Sequence, residues 1–114
     1  DAQVSILDTG VIYTEAGNNN CTFGEVYTTD GRIPALGLTL VEDPGINILY
    51  NVSAAMRAET YDQAPDQFEA IIAAILEPLD NTAMAELNKR VSADGEEPSA
   101  VATDFLVTQG IIAG

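Results

Sequence analysis

The sequence predicts an α/β fold in which short strands with one short helix come first and three consecutive helices follow. Three observations carry this. The first half alternates β-prone stretches with turn signals, the apolar period changes to that of a helix after Pro65, and Pro and Gly punctuate the second half at helix starts and stops.

VSIL (4–7) reads as a strand and VIYTEA (11–16) as a short helix, with the loop GNNN (17–20) behind it. FGEVYT (23–28) and LGLTLVE (36–42) are rich in aromatic, Val, Leu and Thr residues, and read as strands. Asp30-Gly31 and Pro44-Gly45 mark turns around them. ILYNVSAAMR (48–57) is a third extended candidate, with helix open from Ser53 onward.

Phe68, Ile71, Ile72, Ile75, Leu76 and Leu79 then recur at helical spacing, an amphipathic stripe that Pro78 ends because its ring clashes with the preceding turn. Asp80 is placed to cap a second helix carrying Met84, Leu87 and Val91, which Gly95 stops. Pro98 fits the first position of a third helix, with Val101, Ala102, Phe105 and Leu106 inward and Gly110 at its end. Such short helices need a surface to pack on.

The chain has 114 residues, the size of one domain or a piece of a larger one. An apolar fraction of 46% argues against wholesale disorder. No apolar run approaches the ~20 residues of a spanning helix. The opening DAQVSILDTG reads as mid-chain, so an excised segment is expected.

Four basic against eighteen acidic residues give a net charge of −14, which argues strongly against a binder of nucleic-acid backbones and weakly favours a cationic small ligand. With no histidine and one cysteine, the usual zinc sites and histidine-based triads are excluded. No metal or other cofactor is expected. For Cys21 a buried inert thiol comes first, a bridge to a cysteine elsewhere in a parent protein second and a catalytic thiol last, since AGNNNC offers no basic neighbour.

Enzymatic chemistry has little to stand on. Glu42–Asp43 and Glu96–Glu97 are adjacent acids of the kind that solvate loops or cap helices, and there is no Gly-rich phosphate loop. Asp30 in TTDG is a general base in principle, but an Asp before Gly more often closes a turn on its own backbone. The four tyrosines are more informative. The plain reading of each is a partly buried packing residue, which we keep for Tyr13 and Tyr61. Tyr27 and Tyr50 sit where extended segments meet turns, in VYTTDG and LYNVS. Rings projecting from such places into a cleft suit a quaternary ammonium ion, which has no N–H to donate and is held by ring quadrupoles.

FGEVYTTDGRIPALGLTLVED, the following Tyr-Asn, and ELNKRVSADGEEPSAVATDFLVTQGII together resemble the C-terminal part of substrate-binding proteins of ABC importers. The branch is that for glycine betaine, choline and related osmoprotectants. The likeness runs from about Val11 to Ile112 and is densest at 23–38 and 86–110.

The resemblance implies part of a periplasmic-binding-protein type II-like fold, a fragment of a two-lobe protein. Residues 1–47 would belong to the second lobe, and residues 48–114 to the hinge return and C-terminal helices of the first. It also implies that Tyr27 and Tyr50 match two positions of an aromatic box, with Thr29 and Asp30 beside it to bond or position the loop, and Arg32 at the surface. EDPGINILYN is about one residue shorter than the usual approach to the second tyrosine, and VSAAMR is less β-branched than the usual crossing strand. Implied partners are a quaternary amine and an ABC permease, at an extracytoplasmic site (cell surface or periplasm) with the parent protein membrane-anchored as a lipoprotein.

If the chain is a fragment, its strands would present open edges, and a dimer through those edges is expected. The alternative function is a small α+β protein-interaction adaptor using its three-helix face. An enzyme built on Asp30 or Glu25 comes third, for want of an orienting partner.

Overall fold

A computed structural model describes residues 3–48 and 51–114. Among the described residues there are six helices: α1 (Thr9–Gly17), α2 (Arg32–Ala35), α3 (Ala58–Tyr61), α4 (Pro65–Leu76), α5 (Asn81–Ser92) and α6 (Pro98–Thr108).

The local chemistry of the helices follows the sequence closely. α1 forms over VIYTEA and closes with Asn19 in the left-handed region at φ 61°, while Asn20 donates its N–H back to the Glu15 carbonyl. Asparagine tolerates that conformation because its short polar side chain bonds locally. α4 starts on Pro65 and stops at Leu76, two residues before Pro78. At the start of α5, Asp80 accepts the Ala83 N–H at 2.7 Å, satisfying one of the unpaired donors of a first turn. α6 begins on Pro98, and beyond its end Gly110 takes φ 70°, which lets Ile111 donate to the Leu106 carbonyl.

The strands expected at 4–7, 23–28 and 36–42 do not form, and the described residues of the third extended candidate, 48 and 51–57, are irregular. Among the described residues there is no strand at all. The reason is that β-propensity measures fit to a pleated, half-buried surface beside a neighbour. Without that neighbour the same residues leave their apolar side chains in solvent. Ile6 is 98% exposed and Phe23 77%, and Val4, Val41, Ile46 and Ile48 are exposed with them. The expected dimer through sheet edges loses its basis with the strands.

Packing is concentrated in one place. α2 lies on α5, and α5 lies on α6. The buried apolar residues are Ile33 of α2, Ala85 of α5, Val101 of α6 and Tyr13 of α1. Arg90 of α5 straps the bundle together. Its guanidinium donates twice to Glu96, at 2.8 and 2.7 Å, and once to Asp104 of α6 at 2.7 Å. The stripe on α4 forms as a helix, yet none of its residues is fully buried and Ile71 is exposed. The radius of gyration is 17.7 Å, where a compact domain of this length has about 13 Å. Helical propensity and capping therefore shape this chain more than a shared core does.

Candidate functional site

Tyr27 stands at the start of a turn. Its carbonyl accepts the Asp30 N–H at 3.1 Å, and Asp30 in turn offers its carbonyl to Ile33 to begin α2. Asp30 closes the turn on its own backbone, because its Oδ1 accepts the Arg32 N–H at 2.9 Å. The Arg32 side chain folds over the same carboxylate, with Nε to Oδ1 at 2.9 Å and Nη2 to Oδ2 at 2.6 Å. Such fork geometry is the strong form of an ion pair. The guanidinium beside Asp30 holds its carboxyl down at about 2, and the Tyr13 hydroxyl adds to that effect.

Arg32 has a second task. Its Cζ lies 4.0 Å from the centroid of the Tyr13 ring, a cation–π stack, and its Nη1 reaches the Gly10 carbonyl of α1 at 3.4 Å. Tyr13 is completely buried, and its hydroxyl accepts the Tyr27 N–H at 3.2 Å. Burial pushes the phenol above its ordinary range, so it stays protonated through the physiological range. Both the N–H and the carbonyl of Tyr27 are thus tied down. The residue as a whole is 67% exposed.

The next residues lock the turn to α5. Asn88 donates its amide to the Thr29 carbonyl at 2.7 Å. Gly31 is buried against the α5 backbone, so that a Cβ there would collide with Asn88 and Lys89. A shallow concavity beside this junction is lined by Asp30, Gly31, Asn88, Val91, Ser92 and Pro98. A larger groove between α4 and the chain after α6 is apolar, lined by Ile71, Ile75, Leu106 and Ile112 among others, and contains none of the expected site residues.

Of the expected site residues, the structure brings Tyr27, Thr29 and Asp30 together on one turn, and Tyr50 lies outside the described residues. Thr29 is half-buried and its carbonyl is engaged by Asn88. Asp30 is bound up with Arg32, an arrangement that fixes the loop and leaves no free base. Arg32 sits partly at the surface, as expected, but also as the link between Asp30 and Tyr13. The expectation for Tyr13 covered its packing and missed its bond to Tyr27. The pattern in VIYTEA gives no hint of that bond, which joins residues 14 apart through a loop. Tyr61 donates to Glu69, and Cys21 is half-buried with a free thiol. Asp43 accepts three backbone N–H bonds, from Gly45, Ile46 and Asn47, and so braces its own loop. Among the described residues no three His, Cys, Asp or Glu side chains are grouped to hold a metal, and no helix is long and apolar enough to cross a membrane.

The turn thus carries one exposed aromatic residue on a bonded backbone, with its carboxylate paired to Arg32. Residues 1–108 match the family described as the substrate binding domain of ABC-type glycine betaine transport system, and the chain belongs to that family. It is a family of binding domains, not enzymes, as expected, and the third-ranked reading of an enzyme using Asp30 or Glu25 falls away. Its fold type is that of the type II periplasmic binding proteins, as the resemblance implied.

The chain is 36% identical over 101 residues to the glycine-betaine-binding protein of Pseudomonas aeruginosa, covering 88% of this chain and 32% of that protein. It is 32% identical over 101 residues to the carnitine transport binding protein OpuCC of Listeria monocytogenes, with the same coverage of 88% and 32%. Against the glycine betaine-binding protein YehZ of Escherichia coli it is 29% identical over 85 residues, which cover 74% of this chain and 28% of that protein. The chain spans about a third of the length of these relatives. No solved structure matches it significantly.

Proposed function

We propose that this chain forms part of the solute-binding component of an ABC importer for quaternary amines of the glycine betaine, choline and carnitine class, with Tyr27 as one wall of an aromatic box. The observation that carries this reading is the state of Tyr27, an aromatic residue two-thirds exposed on a backbone bonded at both its N–H and its carbonyl. A cation without N–H donors gains from the face of an aromatic ring, and gains most when the ring is already fixed before binding. The names of the relatives, for glycine betaine and for carnitine, point to the same chemical class.

In this reading Tyr50 supplies a second wall. Thr29 and Asp30 position the loop: the Thr29 carbonyl anchors it to α5, and Asp30 anchors it to Arg32. Residues 1–47 belong to the second of two lobes and residues 48–114 to the hinge return and first lobe. The exposed apolar side chains at 4–7, 23–28 and 36–42 then become strand positions in the sheet of the full-length protein, where they find the neighbours they lack here. The assembled receptor works outside the cytoplasm, held to the membrane by a lipid anchor, and delivers its solute to the permease.

The test is a calorimetric titration of glycine betaine, choline and carnitine into the full-length protein, with Tyr27→Ala alongside. Saturable heat with at least one of them is expected, weakened by roughly 1–2 kcal/mol in the variant, as loss of a desolvated cation–π wall requires. Binding that Tyr27→Ala leaves untouched removes Tyr27 from the box. No heat with any of the three overturns the ligand class.

A further inference from the structure

We infer that Tyr13 is a positioning residue for the solute site, acting through its hydroxyl on the backbone of Tyr27 without touching the solute; the inference rests on Tyr27 being a wall of that site. Tyr13 is the most deeply buried large side chain of the described residues, and its hydroxyl serves the turn alone, accepting from the backbone of exposed Tyr27 and bonding the Asp30 carboxylate. The bond runs from the N–H of Tyr27 to the Tyr13 hydroxyl at 3.2 Å. Arg32 presses on the Tyr13 ring from one side while gripping Asp30, and Asp30 closes the turn that begins at Tyr27. The contacts form a closed circuit: Tyr27 to Tyr13, Tyr13 to Arg32, Arg32 to Asp30 and Asp30 back to Tyr27.

A circuit of this kind has a specific consequence. The Tyr27 ring leaves a backbone that is fixed at its N–H by α1 and at its carbonyl by the turn, so its direction is set by Tyr13 and Asp30 together. A cation–π contact weakens steeply with misplacement, and binding that must first order a loose wall loses affinity to that ordering. Phenylalanine at position 13 would keep the ring under Arg32 and delete only the hydroxyl, which holds the Tyr27 N–H and bonds Asp30 in the same turn. The effect should therefore be seen in solute affinity, and only while the Tyr27 ring is present.

The experiment is a double-mutant cycle in the full-length protein, reading glycine betaine affinity by calorimetry for wild type, Tyr13→Phe, Tyr27→Ala and the double variant. Tyr13→Phe should weaken binding about three- to tenfold in the wild-type background, the size that one lost hydrogen bond supports. In the Tyr27→Ala background it should change affinity less than about twofold, since no ring remains to be aimed. An equal loss in both backgrounds would assign Tyr13 a general structural role and overturn the inference, as would no loss in either. If Tyr27→Ala itself has no effect, the wall assignment fails first, and this is seen without reference to Tyr13. Thermal melts verify that each variant is folded at the titration temperature. Should Tyr13→Phe not fold, Arg32→Lys, which keeps the charge but loses the planar stack and fork, carries the same cycle with the same expected and overturning outcomes.

Discussion

Asn88 of α5 donates its side-chain amide to the backbone carbonyl of Thr29 at 2.7 Å, joining two points 59 residues apart in the chain. The bond ties the turn that bears Tyr27 to the best-packed helix of the structure. Asn88 is exposed, so water can replace part of what a substitution removes. Asn88→Ala should lower stability by about 0.5–1.5 kcal/mol, the net worth of a single hydrogen bond. Asn88→Asp should cost more at neutral pH than the alanine variant, because a carboxylate would face the Thr29 carbonyl with no proton to donate. Urea denaturation of the full-length protein measures both. An aspartate variant as stable as wild type would mean that the bond contributes nothing.

Gly31 offers a sharper test because two effects oppose each other there. Its dihedrals, φ −63° and ψ −18°, are ordinary right-handed values open to any residue. On backbone grounds alone, Gly31→Ala should stabilise by up to about 1 kcal/mol. The added methyl, however, would strike main-chain atoms of Asn88 and Lys89, which cannot rotate away as a side chain end could. We expect the collision to win, giving a net loss of about 1–3 kcal/mol and a weaker hold of the turn on α5. A stabilised alanine variant by thermal melt would show that α2 and α5 separate easily.

These two contacts also mark the limit of what was legible in the sequence. The boundaries of α4, α5 and α6 were, since Asp80, Pro65, Pro98, Pro78 and Gly110 act on residues within one turn of themselves, whereas the single turns α2 and α3 were not. The turn at Asp30-Gly31 was legible for the same reason. Strands were not, because a ladder is a property of two segments, and the segments at 23–28 and 36–42 lie here without partners. The bonds from Tyr13 to Tyr27 and from Asn88 to Thr29 leave no periodic trace, being long-range and made by single side chains. The reading of Tyr27 as a ligand wall rests on its position before TTDG and on a family likeness, since the acidic composition goes no further than favouring a cation.

The Asp30–Arg32 pair sets a pH dependence whose sign follows from the direction of the shift. Asp30 titrates at about 2 in the folded chain against 3.8 for an ordinary aspartate, chiefly because Arg32 donates to it. A depressed carboxyl contributes stability that is fully present above the unfolded value, and that is lost as pH falls through the folded one. The window therefore runs from about pH 4 down to about pH 2. The contribution should be on the order of 1–2 kcal/mol, reduced from the full linkage value because the Arg32 side chain is 37% exposed and screened by solvent. Other carboxylates, Asp43 and Glu96 among them, are also held below their ordinary values, Asp43 by backbone N–H donors and Glu96 by Arg90. The informative quantity is thus the difference between wild type and Asp30→Asn, followed by chemical denaturation from pH 7 to pH 2. The amide would keep the shape and one acceptor oxygen while losing the charge. The difference should be constant above pH 5, shrink between pH 4 and pH 2, and narrow throughout in 1 M salt. A difference that stays flat to pH 2 would mean that Arg32 does not hold the Asp30 charge, and the turn beneath Tyr27 would owe its shape to the backbone bonds alone.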